Sequence, residues 1–149
     1  IGDATTLSSL SHEWMDRVAH TGRFGDNEWS RSQIVPVTTL DALIDRHGVP
    51  AFCKVDVEGF EQEVLSGLSQ PIRALSFEFT PEYVEAAIAC VDRLKQLGET
   101  VFNLSLGESM RFELDTWVDA EQITSRLVGL TGSLFGDVYA RVPSAVAVA

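Results

Sequence analysis

The chain has 149 residues, 45% of them apolar and 22% charged, the composition of one ordinary globular domain with room for a sizeable core. Its net charge of −11 and pI near 4.5 repel phosphate backbones and exclude DNA and RNA as main partners. No apolar run approaches the roughly 18 residues of a bilayer crossing, the small-sided tail at 142–149 included, so no membrane partner is expected.

The sequence opens on Ile1 rather than Met, without a charged-then-apolar leader, which predicts a piece of a longer product. Residues 1–34 are the least regular. Residues 11–18 are expected to form a short helix with Trp14, Met15 and Val18 on one side, and 20–30 read as a loop from their Gly, Asn and Asp content. A short extended stretch at 34–37 leads to Thr38, read as a helix N-cap because Asp41 stands three residues on in capping-box spacing. Leu40, Leu43 and Ile44 form the apolar stripe of that helix, and Gly48, Val49 and Pro50 stop it.

Residues 51–57 read as a continuous apolar strand interrupted by Lys54 and Asp56. Gly59 turns the chain into a helix carrying Val64, Leu65 and Leu68 that ends near Gly67, and 72–79 form the next strand. Thr80, Pro81 and Glu82 predict a helix start: a hydroxyl N-cap, proline at the first helical position, and an acid at the positive end of the dipole. Val84, Ala87, Ile88, Val91 and Leu94 follow at helical spacing up to Gly98. Residues 100–106 are expected to be a strand, 110–114 a further strand or a pairing partner for it. Asp119 with Gln122 begins a last helix through Leu127, and 137–142 make a final strand. Strands alternating with helices of this length predict parallel βαβ units with helices on both sheet faces. The fold class is α/β, a mostly parallel sheet with room for an antiparallel closing strand.

In an open α/β sheet, ligands bind outside the carboxyl ends of the strands, and there this chain concentrates acid. Asp56 and Glu58 lie at that end of one strand and Glu78 at that end of the next, so three carboxylates converge if the strands are neighbours. Alternation places Lys54, Asp56 and Glu58 on one face and Val55 and Val57 on the other. A parallel strand is covered on both faces, so Lys54 requires an acid partner. A structural ion network would use the same residues, and Glu61 and Glu63 need only the favourable end of a helix dipole. Asp56 stands apart, because the strand hands over to a loop there and Gly59 allows close backbone approach.

As oxygen donors, Asp56, Glu58 and Glu78 would suit Mg²⁺ or Ca²⁺ rather than zinc. Without an EF-hand loop or a phosphate ligand, no metal is assigned to them. His12, His20 and His47 show no ligand spacing, and no Cys-x-x-Cys occurs. Cys53 and Cys90 fall in an apolar strand and on an apolar helix face; two buried thiols fit a reducing, cytoplasmic setting. Trp14, Trp29 and Trp117 read as core or lid. There is no G-x-S-x-G, P-loop or G-x-G-x-x-G.

From residue 35 onward the order of pieces resembles the FkbM family of S-adenosylmethionine-dependent methyltransferases. The residues that carry it are VPVTTLDALI at 35–44, FCKVDVEGFE at 52–61, VLSG at 64–67, LSFE at 75–78 and GDVYAR at 136–141. SHEW at 11–14 and GRF at 22–24 are similar to a subset of that family. The resemblance implies a Rossmann-like three-layer methyltransferase fold, usually of seven strands with the last antiparallel. It also implies transfer of a methyl group from S-adenosylmethionine to a small-molecule acceptor, commonly a hydroxyl of a sugar or polyketide. By position Asp56 would lie near donor and acceptor and serve as general base, while Glu58 or Glu78 orients the acceptor or holds Lys54. The chain departs from the pattern in holding no glycine-rich loop after an apolar strand and no ribose-binding acid after a second one. Residues 1–34 look like the segment between the family's third and fourth strands, so the single domain 1–149 is expected to be a carboxyl-terminal portion that binds the cofactor weakly or not at all; no cofactor-binding residue is assigned.

Two other readings stand beside this one. A non-catalytic module would pair an exposed sheet edge with a partner or a second copy of itself, giving a homo-oligomer. A metal-dependent hydrolase or lyase would use the carboxylates as ligands.

Overall fold

A computed structural model describes residues 1–2, 5–25, 27–130 and 134–143; the expectations placed on Asp26 of the first loop and on the tail at 144–149 lie outside them. In chain order the elements are α1 (His12–Ala19), α2 (Leu40–His47), β1 (Cys53–Val55), α3 (Glu61–Ser66), β2 (Ala74–Phe79), α4 (Val84–Leu97), β3 (Val101–Leu106), α5 (Ala120–Gly129) and β4 (Gly136–Arg141).

Local chemistry sets most helix starts. Ser11 caps α1 by accepting the Trp14 N–H at 3.1 Å. At α5 the expected capping box is complete: Asp119 accepts the Gln122 N–H at 2.9 Å, and the Gln122 side chain accepts the Asp119 N–H at 3.3 Å. The cap of α2 is Thr39 rather than Thr38, its hydroxyl accepting the Ala42 N–H at 3.2 Å. Asp41 is drawn away from a capping box, because its carboxylate accepts the Ser69 N–H at 2.9 Å and ties α2 to the chain leaving α3. Thr80 does not cap with its side chain either, since its hydroxyl accepts the Trp14 indole N–H at 3.2 Å. The chain passes through a 3₁₀ turn at Pro81–Tyr83 before α4 begins at Val84.

The four strands form one sheet in the order β1-β2-β4-β3. Only β1 and β2 pair in parallel; β4 is antiparallel to both β2 and β3. The antiparallel closing strand is as expected, and β1, β2 and β3 run the same way; what differs from a mostly parallel sheet is that β4 lies inside it, so only one of the three pairings is parallel. The last strand returns between its two predecessors, so β2 and β3, which point the same way, never pair. The insertion is tight: a Cβ at Gly136 would sit 2.0 Å from the Ser105 carbonyl oxygen. The strand expected at 51–57 shrinks to β1, because Glu58 adopts φ +52° and Gly59 φ +86°, which no strand tolerates.

One face of the sheet carries Val55, Leu75, Phe77, Phe102, Leu104, Val138 and Ala140, packed in a single core with Leu65, Cys90, Val91, Ile123 and Leu127 of α3 to α5, with Leu68 just after α3, and with Ile44 of α2. Helices on both faces are therefore not what the described residues form. The opposite face bears Lys54, Ser76, Tyr139 and Asn103 in one cross-strand row and Glu78, Asp137 and Ser105 in the next. Residues 107–118 form no further strand, but the alternative of pairing with 100–106 is met in part: the Glu113 N–H bonds the Leu104 carbonyl at 2.8 Å, and Val118 forms an antiparallel bridge with Phe102. Met110 is 80% exposed with φ +53°, and the segment is pinned by Asn103, whose side chain bonds both the carbonyl and the N–H of Leu114 at 2.9 and 3.2 Å. No helix among the described residues is long and apolar enough to cross a membrane.

Candidate functional site

A cleft of about 840 Å³ opens where β1 and β2 end, walled by residues 21–24, by Thr6 and Leu7, and by Glu108 and Phe135 from the far side. Asp56, Glu58, Glu78 and Thr80 form its floor, with Glu82 beside them. The parallel pairing of β1 and β2 produces this convergence. It matches Val55 with Phe77, so the residues that follow each strand emerge on one rim. One carboxylate oxygen from each of Asp56, Glu58 and Glu78 lies within 4.8 Å of the others.

Glu58 reaches the rim by a route that alternation does not foresee. It lies past the end of the strand in a left-handed conformation, and its carbonyl accepts the Ser9 hydroxyl at 2.5 Å. Gly59 follows at φ +86° with the Trp14 ring packed on it, 2.2 Å from where a Cβ would stand. Only glycine satisfies both the dihedral and that contact. Trp14 is buried, lies edge-on to Trp29 at 6.0 Å, and tilts against Phe24 at 5.6 Å. The first segment of the chain is thereby fastened to the site. Arg23, in the loop above the cleft, bonds Glu82 at 2.8 Å with both side chains nearly buried, and its guanidinium stands over the Phe135 ring.

Lys54 is not buried, as coverage of a parallel strand on both faces would require; its side chain is 48% exposed, because no helix among the described residues covers its face. It still finds acids, bonding Asp137 at 2.8 Å and Asp56 at 3.4 Å. It stands at the flank of the cleft rather than in its lining. Asp137 is a partner that sequence reasoning missed, since only the insertion of β4 beside β2 places it opposite Glu78. Glu61 differs from the expectation of a solvated helix-end acid: it is 5% exposed and accepts the N–H groups of Val57 at 3.1 Å and Gly59 at 3.3 Å. Of the two cysteines, Cys90 is fully buried and Cys53 only partly; burial raises both thiols, so neither is primed as a nucleophile.

Crowding that a single cation, Lys54 at Asp56, offsets only in part changes the chemistry of the rim. Burial, then the charges of Glu58, Asp56, Glu61 and Asp137, push the Glu78 carboxyl up to about 8. Burial, then Asp56 and Glu61, push Glu58 up to about 7. Neither carboxylate accepts a hydrogen bond or ion pair among the described residues, whereas Asp56 has the Lys54 ammonium. Such a rim exchanges a proton near neutrality and attracts cations. Its three carboxylates supply oxygen ligands of the kind a divalent ion takes.

The family model described as the methyltransferase FkbM domain matches residues 2–111, a span that includes α1, the rim turn, and β1 to β3. No curated protein and no solved structure matches the chain.

Proposed function

The chain belongs to the methyltransferase FkbM domain family, and from that membership we propose that its carboxylate rim serves methyl transfer from S-adenosylmethionine to a hydroxyl of a small molecule. The observation that carries this reading is the pair Glu58 and Glu78, proton acceptors poised near neutral pH at the carboxyl ends of adjacent parallel strands. The closing antiparallel strand between its two predecessors supports the Rossmann-like methyltransferase sheet that the resemblance implies.

S-adenosylmethionine supplies a methyl group on a positively charged sulfonium, and a rim of Asp56, Glu58 and Glu78 suits a cation by charge. Nothing in the 149 residues offers a glycine-rich turn after an apolar strand for the nucleoside end, so these residues fit the methyl-donor and acceptor side alone. The Glu58–Glu78 pair takes the acceptor proton, because carboxyls raised to about 7 and about 8 are partly ionised at neutral pH and bind a proton there more firmly than an unshifted carboxyl does. The charge of Glu58, added to burial, raises Glu78 and keeps the pair from being fully ionised at rest. Asp56, engaged by Lys54, fixes the edge of the rim and orients the acceptor. The general-base role expected at Asp56 is thus proposed here for the Glu58–Glu78 pair.

The cleft lining narrows the acceptor further. Asp56, Glu58, Glu78, Glu82 and Glu108 face it, and the cation Arg23 is committed to Glu82. A phosphate- or carboxylate-bearing acceptor would be repelled; an uncharged polyol or an amino alcohol would not. The test follows label from methyl-labelled S-adenosylmethionine into neutral, cationic and anionic hydroxyl compounds. Glu78→Gln is expected to lower turnover of the neutral acceptor by roughly 100-fold or more. Unchanged transfer in Glu78→Gln, or a preference for anionic acceptors, would overturn the reading.

A second reading, a module acting through self-association, is favoured by one observation. The outer edge of β1 has no partner strand among the described residues, and Ile34, Val37 and Phe52 nearby in sequence are 100%, 76% and 49% exposed. Sedimentation of a concentration-dependent dimer would support it, and a monomer at all concentrations would remove it.

A further inference from the structure

The turn at 56–60 holds a conformation that its own residues do not favour. Two consecutive positive φ angles, +52° at Glu58 and +86° at Gly59, point the chain back on itself directly after β1. For a glutamate such a dihedral is strained and persists only where surrounding contacts over-determine it. Three contacts do so here. The Ser9 hydroxyl donates to the Glu58 carbonyl, the Trp14 ring lies against Gly59, and the carboxylate of Glu61 accepts the N–H groups of Val57 and Gly59 on either side of Glu58.

We infer that Glu61 is a positioning residue of the rim: from beneath the turn its buried carboxylate clamps the two amides flanking Glu58 and so holds the Glu58 side chain beside Asp56 and Glu78. Glu61 contributes no atom to the cleft lining. Its place in the helix sequence would be filled equally well by any helix-forming residue, and a first-turn acid acting through the dipole alone would sit in solvent, as the exposed Glu63 does. Instead its side chain is spent on backbone donors that would otherwise be poorly matched in a turn with few alternatives. Release of these two bonds frees the amides on both sides of the strained residue and leaves the Ser9 bond to its carbonyl as the one hydrogen bond on it among the described residues. Glu58 can then return to an ordinary negative φ, which swings its carboxylate off the rim and separates it from Glu78. The role deepens the methyl-transfer reading above, yet it is tested without methyl transfer, so failure of one leaves the other standing.

The experiment compares Glu61→Gln with Glu61→Ala in the whole chain by NMR. Amide hydrogen exchange at Val57 and Gly59 is read together with the carboxyl titration of Glu58. Both variants lose the charge of Glu61, but only the glutamine keeps an oxygen that accepts the two N–H groups. The glutamine variant should therefore retain amide protection. The alanine variant should lose it at those two amides by about tenfold or more, and its Glu58 midpoint should lie roughly one pH unit below that of the glutamine variant. Where alanine fails to fold, Glu61→Asp, one methylene too short for the same reach, is read in its place. A folded alanine or aspartate variant whose Glu58 titrates as in the glutamine variant would overturn the inference.

Discussion

On β2, Phe77 and Glu78 are neighbours in sequence and opposites in environment. Phe77 is wholly buried among helices α3 to α5 and the strands beside it. Glu78 points to the other face, into a rim of three carboxylates of which only Asp56 has a cation, Lys54. The helix-covered face follows the rules of a stable core, apolar contact upon apolar contact. The rim breaks the rule that buried or half-buried charge is paired. A stretch of chain that accepts such a penalty draws its stability from the other side, which leaves the acids free for the methyl transfer proposed above.

The sharpest way to break the comparison is to take a large residue from the core. Phe77→Ala should cost about 3–5 kcal/mol in urea unfolding, because the cavity lies at the centre of the cluster. A loss under 1 kcal/mol would mean that the core is not where stability resides. Next comes Gly59→Ala, which places a Cβ in a left-handed dihedral and against the Trp14 ring, with an expected loss of about 2–4 kcal/mol. Its effect should be local, dulling the burial of Trp14 fluorescence; a wild-type emission spectrum and stability together would contradict the packing described.

The rim itself should respond in the opposite sense. The folded-state value of Glu78 lies above that of the unfolded chain, so the fold binds the extra proton in the interval between them. Stability from this group is full below the unfolded value of about 4.3 and is lost as pH rises through about 8. The wild-type chain should weaken across that window by roughly 1–2 kcal/mol once partial solvent screening is allowed for. Glu78→Gln should flatten the dependence and be the more stable protein at pH 8. A wild-type chain that gains stability over the same window would contradict the assignment. The smallest effect belongs to Lys54→Met. A half-exposed ammonium between Asp56 and Asp137 should be worth no more than about 0.5 kcal/mol in thermal unfolding. A loss several times larger would promote Lys54 from flank to keystone.

Much of this contrast was legible in the sequence. The short helix expected over 11–18, the capping box at Asp119, the glycine after the acid-rich strand, and the strand expected over 72–79 all read correctly, because each is decided within a few residues. The convergence of Asp56, Glu58 and Glu78 also followed, since it needed only that consecutive strands be neighbours. What failed depended on distant partners. Thr80 could not be seen to surrender its cap to Trp14, 66 residues away, nor Lys54 to find Asp137, 83 residues on. Glu61 was misread for the same kind of reason: a first-turn acid looks identical in sequence whether it faces water or the backbone of a strained turn. The antiparallel insertion of β4, which supplies Asp137, is a property of topology that no local pattern encodes.

The central claim is that Glu58 and Glu78 exchange a proton near neutrality, and a carbon-13 NMR titration of the glutamate carboxyls tests it most directly. Two coupled steps near pH 7 and pH 8, assigned to this pair and abolished by Glu78→Gln, are the predicted result. Both carboxyls titrating as ordinary glutamates, around pH 4 to 5, would contradict it.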